Sequence, residues 1–162
     1  MTARRKQDPD APAPADIDLG ILNDVIGFRI RRIQNHLSRA FAERIHRKEV
    51  RPGVFSALAL ITANPGISQI TLAKEIGFNE ATVVMLLDSL ETLKWAERRR
   101  AAEDRRRSAL FTTKAGEKAL ANLRERAIAN EAKIRETLTE TEMDQLFGLL
   151  DKIYTVCCRE DG

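Results

Sequence analysis

Residues 68–94 read "SQITLAKEIGFNEATVVMLLDSLETLK", and the helix starts and stops within them decide how the rest of the chain is read. Ser68 stands at a cap position, where its hydroxyl can accept a backbone N–H from the first turn of "QITLAKEI". Gly77 supplies the left-handed residue that ends a helix. Asn79 caps "EATVVMLLDSLETLK" only two residues later. Two short helices joined by so tight a turn predict a helix-turn-helix. In the second helix Val83, Leu86, Leu87, Leu90 and Leu93 share one face, which packs it onto the domain. Ala81, Val84, Met85 and Asp88 point the opposite way, flanked by Thr82 and Ser89.

Downstream of Lys94 the helical period gives way to alternation. "WAERRR" (95–100) and "RSALFTT" (107–113) flank the polar "AAEDR", which predicts a β-hairpin with a charged tip. From Lys94 to Arg107 there are seven positive and three negative side chains, a net +4. The whole chain of 162 residues carries only +3, so everything outside this segment sums to −1. The basic character is therefore a local patch. Such a run suits a solvated surface, a localisation tag or a nucleic-acid contact. The hairpin context favours the last, since tags are usually flexible and lysine-rich.

Upstream, Pro52 opens a helix through "VFSALALIT" to about Ala63, and "NPG" (64–66) is a turn. Further upstream, from Ile17 to about Arg47, Leu22, Ile26, Ile30, Ile33, Leu37, Phe41 and Ile45 recur every three or four positions. A helix of roughly 30 residues would reach about 45 Å, more than so small a domain can cover. Its apolar face needs a partner, most simply a second copy of the chain. Thr113 caps a helix from Lys114 to about Leu138. Thr139 and Glu142 form a capping box that opens Glu140–Cys158, striped by Met143, Leu146, Phe147, Leu150, Ile153, Tyr154 and Cys157.

Helix, helix-turn-helix and two-stranded hairpin in this order predict an all-α fold with a small β-hairpin wing. From about Leu19 to Tyr154 the chain resembles the MarR family of bacterial transcriptional regulators. "ISQITLAKEIG", "EATVVMLLDSLETLKWAERR" and above all "EDRRRSALFTTKAG" carry the resemblance. It implies a homodimer on a palindromic operator of double-stranded DNA, often released by a small aromatic effector. The corresponding division is a tail over 1–16, a dimerisation helix over 17–50, the winged domain over 51–113 and terminal helices over 114–162. The resemblance further implies that Asp104 and Arg106 pair to shape the wing and that Arg105 reaches the minor groove. Relatives often carry arginine where Met85 stands and serine where Ala81 stands.

The candidate DNA contacts are Asn79, Ala81, Thr82, Val84, Met85 and Ser89 on the recognition helix, and Arg98, Arg99, Arg105 and Arg107 on the wing. No side chain centred on the recognition face makes the bidentate pair that reads guanine or adenine, so Ala81, Val84 and Met85 are left to meet thymine methyls. Gly53, Ser68, Gln69 and Thr71 lie at helix starts, whose N–H groups can hold phosphate. Ser68 either only caps or does both, and Lys74 is either a phosphate contact or a solvated charge.

For an effector, the candidates are Arg32, His36, Phe28, Phe41, Phe55 and Trp95. The resemblance places such a cavity between the long first helix and the winged domain. A structural histidine, an arginine pairing across a dimer and aromatic core residues are the competing readings. Adjacent Cys157 and Cys158 read as reduced thiols, with a redox switch or an intersubunit bridge as alternatives. A ligand-independent architectural DNA-binding protein is the other alternative.

Several classes are disfavoured. Residues 1–16, "MTARRKQDPDAPAPAD", read as a polar tail without the apolar core of a secretion signal. No run of about 18 apolar residues exists, so a cytoplasmic protein without a membrane partner is expected. His36 and His46 lie ten apart without metal-ligand spacing. There is no Gly-rich phosphate loop, nucleophile elbow or HExxH, so neither an enzyme nor a cofactor is expected.

Overall fold

The computed structural model describes residues 17–45, 53–100 and 108–158. Arg47, Pro52 and the wing tip, with Asp104, Arg105, Arg106 and Arg107, lie outside the described residues, as does the tail. The chain divides into two compact units, one ending at Asn35 and the other beginning at His36.

In the first unit the expected unbroken helix from Ile17 is interrupted. A 3-10 turn, Gly20–Asp24, comes first, and α1 (Ile26–Ile45) starts only after the extended Val25. Asp18 Oδ1 accepts the Gly20 N–H at 2.8 Å, and Gly20 takes φ +52°, open to glycine without steric cost. Arg29 then reaches back, donating from Nε and Nη2 to the Asn23 carbonyl at 2.9 and 2.6 Å. The twenty described residues of α1 span about 30 Å, not about 45.

The second unit is built on α2 (Val54–Ala63), α3 (Gln69–Ile76) and α4 (Glu80–Thr92), closed by α5 (Lys114–Asn130). Val54, Leu58 and Ile61 of α2, Leu72 of α3, and Val83, Leu86, Leu87 and Leu90 of α4 form its core, with Trp95, Leu110 and Leu123. The inner face expected of the recognition helix is thus the buried one, with Leu93 packed partly against it. Three helix starts carry the expected caps. Ser68 Oγ accepts from Thr71 N at 3.1 Å, Asn79 Oδ1 from Thr82 N at 2.8 Å and Thr113 Oγ1 from Gly116 N at 3.0 Å.

The sheet has three strands, not two. β1 (Ile67–Ser68), β2 (Ala96–Arg100) and β3 (Ser108–Thr112) lie in the order β1-β3-β2, all antiparallel. Ile67 faces Leu110 across β1 and β3, and Arg98 faces Leu110 from the other side. A two-residue strand is too short to show alternation, so the wing hairpin alone was visible in the residue pattern.

The passage from α4 into β2 is a tight helix ending. Lys94 N donates to Glu91 O at 2.9 Å and Trp95 N to Leu90 O at 2.8 Å, the bond pair of a Schellman ending. Lys94 occupies its left-handed position at φ +58°. A side chain there costs about 1–2 kcal/mol, while glycine loses about 0.5–1 kcal/mol more backbone entropy on folding. Lys94→Gly is therefore expected to raise unfolding stability by about 0.5–1 kcal/mol, measured by chemical denaturation.

Beyond α5 the expected single helix to Leu138 breaks at Glu131, and α6 (Ala132–Thr137) follows. Asn130 beside the break donates from Nδ2 to the Leu37 carbonyl of α1 at 3.0 Å. The last helix, α7 (Glu140–Cys158), opens on the expected capping box. Thr139 N and Oγ1 donate to Glu142 Oε2 at 2.9 and 2.8 Å, and Glu142 N donates back to Thr139 Oγ1 at 3.3 Å. The Thr139 backbone N–H and hydroxyl hold the Glu142 carboxyl below its ordinary value. A lowered carboxyl stabilises the fold above its unfolded value and loses that contribution as pH falls through the lowered one.

Candidate nucleic-acid interface

α4 presents the outer face that its spacing implies. Ala81, Val84, Met85 and Asp88 are exposed, while Thr82 and Ser89 are half-buried. Val84 and Met85 are 38% and 48% exposed, against 2% or less for Val83, Leu86, Leu87 and Leu90 on the opposite side. Ser89 Oγ is turned onto its own helix, donating to the Met85 carbonyl at 2.8 Å. At the start of α3, Ser68 Oγ also shares a 2.8 Å bond with Thr71 Oγ1. Gln69 beside them is half-buried, while Thr71, Lys74 and the Asn79 cap are exposed. Gly53 caps α2 at φ +90°, where an added Cβ would lie 2.6 Å from the Phe78 ring.

Two of the wing's arginines, Arg98 and Arg99, take opposite faces. Arg98 lies opposite buried Leu110 and turns towards α4, where its guanidinium pairs with Asp88 at 3.0 Å and with Glu91. Glu91 Oε1 also accepts the Arg98 backbone N–H at 3.1 Å. One arginine thereby fastens the first wing strand to the recognition helix through two carboxylates. Arg99 takes the other face. Its guanidinium lies 4.5 Å from the centroid of Phe111, and Nε donates to Glu97 Oε1 at 2.7 Å. Its side chain remains largely exposed. Strand alternation foresaw opposite faces, and the pairing of Arg98 with two acids on α4 is new. The signal for it was the acid pair Asp88 and Glu91 three residues apart, on a helix that runs directly into the strand.

The wing is also anchored at its base. Thr113 N donates to the Trp95 carbonyl at 3.0 Å and Thr113 Oγ1 to the Lys94 carbonyl at 2.6 Å. Gly116, in the first turn of α5, passes so close that a Cβ would fall 1.9 Å from the Trp95 carbonyl oxygen. Thr62 Oγ1 and Thr112 Oγ1, 2.8 Å apart, tie β3 to α2.

The candidate effector residues fall into separate groups. Phe28 and Arg32 lie together in the first unit, the guanidinium 5.7 Å from the ring centroid. In the second unit Phe41 and Phe55 pack with centroids 5.9 Å apart and planes at 50°. His36 is exposed on α1. Trp95, 9% exposed, belongs to the winged-helix core. Cys157 is exposed and Cys158 is the last residue of α7. Among the described residues no group of three His, Cys, Asp or Glu side chains is placed to hold a metal. No helix among them is long and apolar enough to cross a membrane.

Residues 50–107 match the MarR family. A putative transcriptional regulatory protein for the hcr operon of Thauera aromatica is 33% identical over 147 residues, covering 87% of this chain and 89% of that protein. The transcriptional repressor CouR bound to a 23-mer DNA duplex superposes with a TM-score of 0.74 at 29% identity, over 86% of this chain and 99% of that one. CouR bound to p-coumaroyl-CoA superposes with a TM-score of 0.71 at 27% identity, over 85% of this chain and 97% of that one. The three-stranded winged helix-turn-helix, its outward α4 face and these relatives agree: the chain belongs to the MarR family of DNA-binding transcriptional regulators.

Proposed function

We propose that the protein is a homodimeric repressor that holds a palindromic operator and is released by an aromatic acid or its CoA thioester. The observation that carries the DNA part is the exposed outer face of α4 beside the basic strand β2. In this reading α4 enters the major groove, and the N–H groups at the start of α3 meet phosphate. Arg99, Arg105 and Arg107 serve the flanking groove, where arginine suits a narrow minor groove's negative potential. Asp104 and Arg106 shape the wing tip.

The dimer reading is supported by unpartnered apolar side chains on the terminal helices. Ile26, Ile30 and Ile33 of α1, and Phe147, Leu150 and Ile153 of α7, are exposed in the single chain. Two copies covering these faces would set their recognition helices about one helical turn of DNA apart. An effector then acts by preferring a different spacing, and it weakens binding only by its differential affinity for the two arrangements.

The CouR complex with p-coumaroyl-CoA supports this effector class. His36, Phe41 and Phe55 of the second unit are assigned to it. Binding to the DNA upstream of the protein's own gene, read by mobility shift, tests the proposal. Adding p-coumaroyl-CoA, free p-coumarate or CoA alone separates thioester, acid and nucleotide recognition. His36→Ala is expected to bind DNA as before and to lose at least about tenfold in effector response, roughly the loss of one charged or strong polar contact. Tight DNA binding indifferent to every such compound would make the protein a ligand-independent binder.

A further inference from the structure

Arg98 and Arg99 stand side by side on β2, and each is paired with acid from its own chain. The two pairings differ in how firmly they are held. The Arg98 side chain is 25% exposed and is gripped by Asp88 and Glu91 of α4. The Arg99 side chain is 58% exposed, and its acid is Glu97, two residues back on the same strand and itself open to solvent. Alternation puts Glu97 and Arg99 on one face, and Phe111 lies opposite Glu97 in the β2–β3 register. The Arg99 guanidinium meets both. It sits 4.5 Å from the Phe111 ring centroid, within cation–π range. Its Nε and Nη2 both donate to Glu97 Oε1.

That pair of donors is the edge with which an arginine grips a phosphate or a base. Here a carboxylate oxygen fills it, as a phosphate oxygen would. Glu97 is also the one acid of β2, whose other charged residues are three arginines. An exposed ion pair adds little to fold stability, and a negative charge on a strand proposed to approach phosphates weakens binding to any duplex. We infer that Glu97 competes with DNA for Arg99 and thereby sets operator affinity below what the wing could reach. The inference rests on the groove contact proposed above for Arg99 and names the residue that regulates it. Engaging DNA takes Arg99 from Glu97 and leaves a carboxylate unpaired beside the duplex, so every complex bears that cost. A moderated grip also lets an effector of modest differential affinity release the protein.

The test uses a duplex that the full-length protein selects from a randomised pool, with affinity read by fluorescence anisotropy. Glu97→Gln removes the charge and keeps the shape, and Arg99→Ala removes the contested guanidinium. Both are surface substitutions, so the fold is retained. Glu97→Gln is expected to bind about fivefold tighter than the parent, the upper range for one exposed ion pair. Arg99→Ala is expected to bind severalfold more weakly. Adding Glu97→Gln to Arg99→Ala should recover only a minor part of the fivefold gain, because the competition acts through Arg99. Equal gains in both backgrounds would reduce Glu97 to an ordinary negative charge and overturn the inference. Glu97→Gln binding no tighter than the parent, with Arg99→Ala impaired, would also overturn it while leaving the wing contact intact. Arg99→Ala binding as tightly as the parent would overturn the wing contact itself.

Discussion

Gly116→Ala is expected to lower unfolding stability by about 3 kcal/mol, the upper end of the range for overpacking. For a chain of this size that corresponds to a fall in Tm of roughly 10 °C. The added methyl would sit 1.9 Å from the Trp95 carbonyl oxygen and 2.8 Å from Thr112 Cγ2. A carbonyl cannot rotate aside as a side chain can. That same oxygen accepts the Thr113 N–H that anchors the wing. Relief would require α5 to lift off the end of α4, pulling Leu123 from the core. Thermal denaturation followed by circular dichroism measures the change. A variant as stable as the parent would mean that α5 does not approach Trp95 this closely.

Arg98→Ala is expected to weaken operator binding by about tenfold or more, while costing no more than about 1 kcal/mol of fold stability, as for a part-exposed ion pair. The two effects differ because Arg98 neutralises Asp88 and Glu91, which stand on the helix proposed to enter the major groove. Removing it frees two carboxylates near the phosphates, and like charges placed together at an interface are costly. Removing Asp88 and Glu91 as well should restore much of the affinity. If Arg98 instead contacted phosphate directly, the triple variant would stay weak and the salt slope would drop by about one unit. Fluorescence anisotropy across a salt series distinguishes these outcomes.

The parts of this fold legible in the residues were those set by local chemistry. Ser68, Asn79, Thr113 and the Thr139–Glu142 box each cap a helix through bonds spanning three residues, so spacing alone reveals them. The inner face of α4 was legible for the same reason. The two helix breaks were hidden. The stop at Val25 interrupts an apolar stripe that continues across it, and the break at Glu131 lies beside an amide bonded to α1. At the candidate interface the exposed face of α4 could be counted off from helical spacing. The division of labour between Arg98 and Arg99 could not, because alternation separates their faces without saying which one meets α4. Opposite Arg98, Leu110 held the answer, since it is the aliphatic residue of β3 that the core buries.

The position of β2 has a consequence for self-association. In the order β1-β3-β2 it is an outer strand, and an outer strand with free N–H groups is a template on which another chain can polymerise. Here the outward N–H of Arg98 is already occupied by Glu91 Oε1, and arginines crowd the same strand. Charge on an edge strand and occupation of its donors are both devices that block strand addition. The residues that make the wing basic therefore also keep the regulator from aggregating edge to edge when no DNA is bound.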